Sequence, residues 1–201
     1  MHRIRMALPH FRELGWEPTV IAVASPYVSH PIDSLLSTSV EASIDVHYVK
    51  AVPMGLARRV GLGNLGLRAF WSLWFKGRQL LRDEGFDLVY FTTTVFDCIP
   101  IGRLWKFEFD VPYIVDLQDP WHNTFHLGKD LKDRPKKFWF DEKLKRYTEL
   151  WTLPHSDGIT AVTEAYFESV FRKYKLGSRI PAIELPFCSS EKDFSIAKTT
   201  R

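Results

Sequence analysis

The sequence has few cysteines, no long apolar run and no block of like charge. Its two cysteines, Cys98 and Cys188, lie far apart in the chain and lack the CxxC spacing of zinc and redox sites. Disulfide and zinc interpretations therefore have no support. This pattern favours a reducing, cytoplasmic setting.

The absence of long apolar runs and of blocks of like charge argues against further classes of protein. No stretch approaches the roughly 20 apolar residues that cross a bilayer, and the start of the chain lacks the apolar core of a signal peptide. We therefore expect a soluble protein. The 27 basic and 24 acidic residues give a net charge of +3 and are spread along the chain, which argues against a dedicated nucleic-acid binder.

What the sequence does contain is enough apolar material for one large domain. Of its 201 residues, 45% are hydrophobic and 14% aromatic. Several short runs are apolar throughout, which is typical of strands covered on both faces in a parallel sheet. Six strands are predicted: Thr19 to Ala24, Ile44 to Val49, Asp87 to Thr92, Pro112 to Leu117, Gly158 to Thr163 and Ala182 to Leu185.

Helical patterns alternate with these runs. They cover Leu67 to Leu81, the stripe Phe140, Leu144, Tyr147 and Trp151, and Thr163 to Gly177, with Thr163 as a cap and Gly177 as a stop. Alternation of strand and helix predicts a doubly wound, mainly parallel α/β domain. The chain opens on a helical stretch that contains Pro9 and closes at Gly15, so the sheet is expected to lack its first strand.

Polar residues follow the fourth run directly, in the segment from Asp116 to Asn123. Ligands of doubly wound sheets bind beyond the carboxyl ends of the strands. There Asp119 and His122 are candidate catalytic bases, and Asp116, Gln118 and Trp121 are candidate sugar contacts. The alternative is that Asp119-Pro120 is a simple turn and that Trp121 belongs to the core.

Two further groups lie at other strand ends. Thr92 and Thr93 follow the third run and could hold a phosphate or a sugar, although threonine also simply favours strands. Thr163 and Glu164 stand where a strand becomes a helix, and free amides there could receive an anion. An ordinary helix cap explains that pair equally well.

Two other patterns carry less weight. His122 and His126 are four apart, but no glutamate follows the first histidine, so no metal and no cofactor are expected. The other pattern mixes basic and aromatic residues and could contact an anionic membrane, although such aromatic residues more often belong to the core. It comprises Arg58, Arg59, Arg68, Trp71, Trp74, Lys76 and Arg78.

Together, five segments resemble the N-terminal domain of glycosyltransferase family 4, the retaining GT-B enzymes. The first two are His2 to Arg5 with Leu8-Pro9-His10-Phe11, and Leu14-Gly15-Trp16-Glu17-Pro18-Thr19-Val20. The others are Phe86 to Tyr90, Pro112 to Trp121 and Ser156 to Thr163. The resemblance covers almost the whole chain, and the order and spacing make it moderately specific.

This resemblance implies a Rossmann-like domain, from residue 1 to 187, followed by the start of an interdomain linker, 188–201. It also implies that a nucleotide-sugar donor is held mainly by a second, C-terminal domain and that a glycan or lipid-linked acceptor is held by this one. The segment from Asp116 to His122, with Thr92, Thr93, Thr163 and Glu164, would face the cleft. The chain would start after the glycine-rich loop and stop near the interdomain crossing, so this fragment alone is expected to be inactive.

Two other functions stay open. One is a part of a GT-B-fold sugar-nucleotide epimerase, and the other is a non-catalytic small-molecule binding module.

Absence of the first strand would leave unpaired backbone on its neighbours and favour aggregation.

Overall fold

The structure is a computed structural model, and it describes residues 2–29, 43–59, 62–121, 138–177, 179–188 and 194. The chain divides into two compact units. Unit 1 comprises Met1–Leu80 with Phe187–Arg201, and unit 2 comprises Leu81–Pro186.

Strands and helices alternate along the described chain. The helices are α1 (His2–Glu13), α2 (Met54–Arg59), α3 (Leu65–Asp83), α4 (Pro100–Phe109), α5 (Phe138–Thr152) and α6 (Glu164–Tyr174). The strands are β1 (Thr19–Val23), β2 (Asp45–Val49), β3 (Val89–Thr92), β4 (Tyr113–Leu117), β5 (Gly158–Ala161) and β6 (Ala182–Glu184). None of the helices in this described part is long and apolar enough to span a membrane.

All six predicted strands are confirmed, with every end within two residues of its predicted position. Every pairing among them is parallel. In unit 1, β1 pairs with β2, and in unit 2 the order is β3-β4-β5-β6. Parallel strands joined through helices make this a Rossmann-like α/β fold, as predicted.

The two faces of the unit 2 sheet differ in chemistry. Tyr113, Val115 and Leu117 of β4 belong to one apolar core with Ile159 and Ala161 of β5. Because side chains alternate along a strand, the residues between them lie on the opposite face. Apolar residues from the helices and turns of unit 2 complete this core: Ile99, Leu153, Phe167, Val170, Leu176 and Ile180.

Two predicted helices are confirmed with small differences. The helix from Leu67 to Leu81 is α3, which extends two residues further at each end. The helix beginning after Thr163 is α6, but it ends before Gly177, because Lys175 already adopts the left-handed conformation, with φ of 53°. Thr163 has the extended backbone of a cap, and its side chain makes no cap hydrogen bond.

The stripe predicted from Phe140 to Trp151 lies on a helix, α5, as expected, but it does not join the core of unit 2. Leu144 and Trp151 are half-buried. Phe140 and Tyr147 are about two-thirds exposed, and the buried residues of this helix include Glu149 and Thr152. Thr152 donates a 2.6 Å hydrogen bond to the carbonyl of Thr148, and its own carbonyl accepts one from the Tyr113 hydroxyl. Helical spacing alone identified an apolar stripe but not which side of the helix is covered.

Helix α4 was not predicted, and its close packing explains why. A Cβ atom on Gly102 would lie 2.6 Å from the Phe91 ring and 2.9 Å from the Tyr113 ring. Only glycine lets the helix approach β3 and β4 so closely. Gly102 and the preceding Pro100 are turn signals in a sequence, yet here both are buried residues of a helix.

One buried arginine of unit 1 donates hydrogen bonds to two separate segments of the chain. Arg68 of α3 is 4% exposed, and its guanidinium donates to the carbonyls of Val52 at 2.8 Å and Tyr27 at 2.9 Å. These two residues follow β2 and β1, respectively. Arg68 thus ties the first turns of α3 to the segments that leave the carboxyl ends of both strands.

Candidate functional site

A row of polar side chains crosses three neighbouring strands of unit 2. Thr92 is the register partner of Asp116, and Asp116 is the register partner of Thr160. Since register partners face the same way, the three side chains lie side by side on the face opposite the apolar core. The row stands in the carboxyl halves of β3, β4 and β5.

Asp116 is the centre of this row and is fully buried. Its Oδ1 accepts a hydrogen bond from the Thr160 hydroxyl at 2.9 Å. Its Oδ2 accepts from the Gln118 amide at 2.8 Å and from the Thr92 hydroxyl at 3.2 Å. A buried carboxylate with this many donors is held in one orientation.

The donors are fixed in turn. The Gln118 amide also donates to the Thr92 hydroxyl at 2.9 Å, so both of its hydrogens are directed inward. The Thr160 hydroxyl gives its hydrogen to Asp116, so the Tyr90 hydroxyl, 3.0 Å away, donates to Thr160. Gln118 is half-buried. Its carbonyl oxygen can therefore accept a hydrogen bond from a ligand hydroxyl.

The other predicted residues at this end of the sheet differ in exposure. Asp119 and Glu164 are exposed, whereas Thr93 and Thr163 are half-buried. The Thr93 hydroxyl accepts a 3.0 Å hydrogen bond from the Val95 amide, which shapes the turn after β3. Because parallel strands end at the same edge, these residues and the polar row share one rim of unit 2.

Trp121 lies in the apolar core rather than at the rim. It is 4% exposed, and its ring stacks on Phe96 with centroids 5.1 Å apart. The alternative interpretation of Trp121 as a core residue fits this position. Neither Trp121 nor Asp116 offers exposed surface to a ligand, and both contact only their neighbours in the fold.

A small cavity of about 210 Å³ lies beside this segment, lined in part by Pro120, Trp121 and Tyr166. An ion pair also borders it, in which the ammonium of the partly exposed Lys173 lies 2.5 Å from the carboxylate of Glu149, itself 3% exposed. Burial raises the pKa of Tyr174, and the charge of Glu149 raises it further. The segment from Leu117 to Trp121 therefore borders a cavity that apolar residues and this ion pair line together.

Sequence reasoning missed one carboxyl group near this rim. Asp97 lies in the 3₁₀ turn Phe96–Cys98 after β3 and is 7% exposed. Burial raises its pKa, while the positive charge of Lys145 lowers it and Asp141 raises it. Carboxyl groups with raised pKa values near ligand-binding edges are candidates for proton transfer. Only its distance of a few residues from the Thr92 to Thr94 run could have indicated it.

The last predicted feature is the pair of histidines considered as metal ligands. His122 and His126 lie outside the described residues. Within the part of the chain that the structure describes, no three His, Cys, Asp or Glu residues are grouped to hold a metal ion.

Two of three comparisons with known proteins agree with this fold. A search of curated protein sequences finds no match. Among solved structures, the chain resembles a UGT transferase from Siraitia grosvenorii crystallised in complex with UDP, with a TM-score of 0.52 and 14% identity. The match covers 96% of this chain and 50% of the transferase, so the chain spans about half of its length.

The family comparison is more direct. The model of the glycosyl transferase 4-like domain matches residues 2–179, which is most of the chain. The match includes all five strands from β1 to β5 and the whole polar row. The chain therefore belongs to the glycosyl transferase 4-like family and has the Rossmann-like fold of GT-B glycosyltransferases.

Proposed function

We propose that this domain binds the acceptor in a glycosyltransferase that moves a sugar from a nucleotide-sugar donor to a glycan or a lipid-linked acceptor. The observation that carries the proposal is the hydrogen-bonded row of Thr92, Asp116 and Thr160 at the rim where such folds bind ligands. A sugar presents several hydroxyls, each both donor and acceptor. A rigid row of polar groups suits it, because little order is lost on binding.

Each residue has a distinct task in this proposal. Asp116 fixes Gln118 and Thr92, and the Gln118 carbonyl oxygen accepts a hydrogen bond from an acceptor hydroxyl. Asp119, exposed at the rim, accepts the proton of the attacking hydroxyl, with His122 as the second candidate base.

Thr93, Thr163 and Glu164 contact the acceptor from the adjoining strand ends in the same proposal. Trp121 supports the rim from below through its stack on Phe96.

The donor is held mainly by a second domain in this proposal, with residues 188–201 as the start of the linker to it. The structural neighbour contains UDP and is about twice as long as this chain, which supports a donor of the nucleoside diphosphate sugar type. We accordingly propose that the 201-residue chain alone does not catalyse sugar transfer. Its low cysteine content supports a cytoplasmic location.

A transfer assay on the complete protein tests the acceptor role. Gln118→Ala and Asp119→Asn should raise the acceptor KM or lower kcat by roughly tenfold or more while leaving the donor KM unchanged. Glu168→Gln, on the exposed side of α6, is the matched control and should leave every constant unchanged. An effect confined to the donor KM would overturn the acceptor assignment.

Binding to the chain itself separates this proposal from a self-contained binding module. Calorimetric titration of UDP and GDP into the 201-residue chain should show no binding at micromolar concentrations. Micromolar nucleotide affinity would favour the binding module instead.

A further inference from the structure

Helix α3 exposes large aromatic side chains on its outer side. Trp71 is 64% exposed and Phe75 is 58% exposed, one helical turn apart. Their rings are 6.3 Å apart, and the half-buried Trp74 ring lies 4.7 Å from Phe75. The three rings form a contiguous apolar surface, which we name the α3 aromatic face.

The opposite side of α3 anchors the helix to the protein. Ala69 is fully buried and Leu80 is 5% exposed. With 3.6 residues per turn, these two positions lie on the side of the helix opposite Trp71. Trp71 and Phe75 therefore lie outside the packed side of the helix, and exposed apolar surface of this kind marks an interaction site.

A second apolar area lies on the segment that precedes α3. Leu56 of α2 is 57% exposed and Leu62 is 41% exposed. The Leu62 amide donates to the carbonyl of Ala57 at 2.9 Å, and Ala57 is buried, so Leu62 is held next to α2. Exposed Arg58 and Arg59 stand between the two leucines in the chain.

The stretch of chain that carries both surfaces has charges of one sign. The stretch from Val46 to Arg82 contains seven Lys or Arg residues and no Asp or Glu, although the whole chain has a net charge of only +3. One of the seven, Arg68, is buried in unit 1. The six others are exposed or half-buried: Lys50, Arg58, Arg59, Lys76, Arg78 and Arg82.

We propose that this part of unit 1 docks on the surface of an anionic phospholipid bilayer. Helix α3 lies along the interface with Trp71 and Phe75 at the boundary between headgroups and acyl chains. Arg58, Arg59 and Arg78 contact lipid phosphates. Tryptophan favours this boundary because its ring is amphipathic, and basic residues favour a negatively charged leaflet.

Other occupants fit the surface less well. Two copies of the same face would bring like charges together, which opposes self-association. A nucleic-acid strand would stack its bases on aromatic rings, but it gains little from exposed aliphatic residues such as Leu56 and Leu62. A lipid surface accommodates aromatic, aliphatic and basic residues at once.

Vesicle sedimentation with the full 201-residue chain tests the proposal. The chain should bind phosphatidylcholine vesicles containing about one third phosphatidylglycerol, bind pure phosphatidylcholine vesicles much more weakly, and dissociate at high salt. Trp71→Ala/Phe75→Ala should lower the partition coefficient roughly tenfold or more. The matched control is Phe107→Ala/Trp139→Ala, which removes two exposed aromatic residues of unit 2 and should bind as the unaltered chain does.

A charge pair of variants separates electrostatic from apolar contributions. Arg58→Ala/Arg59→Ala should weaken binding to anionic vesicles by roughly tenfold or more, whereas Lys143→Ala/Arg172→Ala, two exposed basic residues of unit 2, should not. Brominated lipid should quench tryptophan fluorescence less in Trp71→Phe than in the unaltered chain, because that change removes the inserted fluorophore.

Three results would overturn the proposal. One is equal binding to neutral and anionic vesicles, and another is equal loss of binding in the aromatic variant and its unit 2 control. The third is self-association in the absence of lipid that Trp71→Ala/Phe75→Ala abolishes, with no vesicle binding, which would assign the face to contacts between copies of the chain.

Discussion

The Thr160 hydroxyl donates a 2.9 Å hydrogen bond to Oδ1 of Asp116, and so joins β5 to the buried carboxylate of β4. The other carboxylate oxygen is reached from β3 through Thr92 and from the chain after β4 through Gln118. A single buried charge thus links three strands that reach the sheet through separate crossovers. Its removal should therefore affect stability as well as the rim.

We expect Asp116→Ala to lower the free energy of unfolding by about 2–4 kcal/mol, because it leaves the donors of Thr92, Gln118 and Thr160 without their acceptor. Urea unfolding followed by circular dichroism measures the change. Asp119→Asn, an exposed change three residues further along the chain, should stay within about 0.5 kcal/mol. Equal effects of the two changes would show that the network contributes nothing.

Close packing of α4 predicts a strong effect of one methyl group. Gly102→Ala should destabilise the protein by about 1–3 kcal/mol, because the new Cβ would overlap the rings of Phe91 and Tyr113. Gly55→Ala in α2 is the control, since a Cβ atom added at Gly55 would meet no other atom within 4 Å. That change should be neutral or stabilise by about 0.5–1 kcal/mol. Thermal unfolding of both variants compares them directly.

The buried carboxyl of Asp97 predicts a pH dependence of stability. Burial raises its pKa in the folded protein above the ordinary value of 3.8. Between that value and the raised one, the folded state holds the proton more tightly than the unfolded state, so this group's contribution to stability falls as the pH rises through the window.

Asp97→Asn stays neutral and should remove this fall, which makes the variant relatively more stable above the window. Urea midpoints measured from about pH 4 to pH 7 test the sign. Asp87→Asn, an exposed change, should leave the profile as it is. A steeper profile in Asp97→Asn would contradict the assignment.

Arg68 should be as important to unit 1 as Asp116 is to unit 2. Arg68→Ala leaves the carbonyls of Val52 and Tyr27 without their charged donor and should cost about 2–4 kcal/mol. Arg68→Lys should recover only part of this lost stability. It keeps the positive charge, but one ammonium cannot match both contacts of the planar guanidinium. Arg82→Ala, on the exposed end of α3, is the matched control and should cost less than about 0.5 kcal/mol.

Strand edges give a prediction for hydrogen exchange. Among the described strands, β4 is paired on both sides, whereas β1 and β3 each stand at the end of a sheet. Amides of β4 should exchange more slowly than those on the outer edges of β1 and β3, and concentrated solutions should self-associate through these edges. Uniform protection in a monomer, measured together with sedimentation, would contradict this prediction.

Much of the fold could be predicted because its strands carry their signal locally. Runs such as Val20 to Val23 are apolar throughout, and this continuity indicated a parallel sheet before any pairing was known. Helix α4 was missed because its Pro100 and Gly102 resemble turn signals. Only the distance to Phe91 and Tyr113 explains the glycine, and a single sequence does not contain that distance.

The rim was predicted in part. Polar residues after β3, β4 and β5 pointed to one edge, since parallel strands end together. The burial of Asp116 depends on partners in two other strands, and that of Trp121 on Phe96, so neither follows from local spacing. The two-residue alternation of Asp116 and Gln118 could have indicated that they face the same side.

The polar row of Thr92, Asp116 and Thr160 also disfavours incorrect strand register during folding. A shift of β4 by one residue would turn Asp116 toward the side occupied by Val115 and Ile159 and would bury its charge among hydrocarbon groups. Each misaligned sheet would thus carry an ionised group with no donor. The correct alignment of the strands and the polar rim therefore form together, so chains that misfold in this sheet should also lack the surface proposed to bind the ligand.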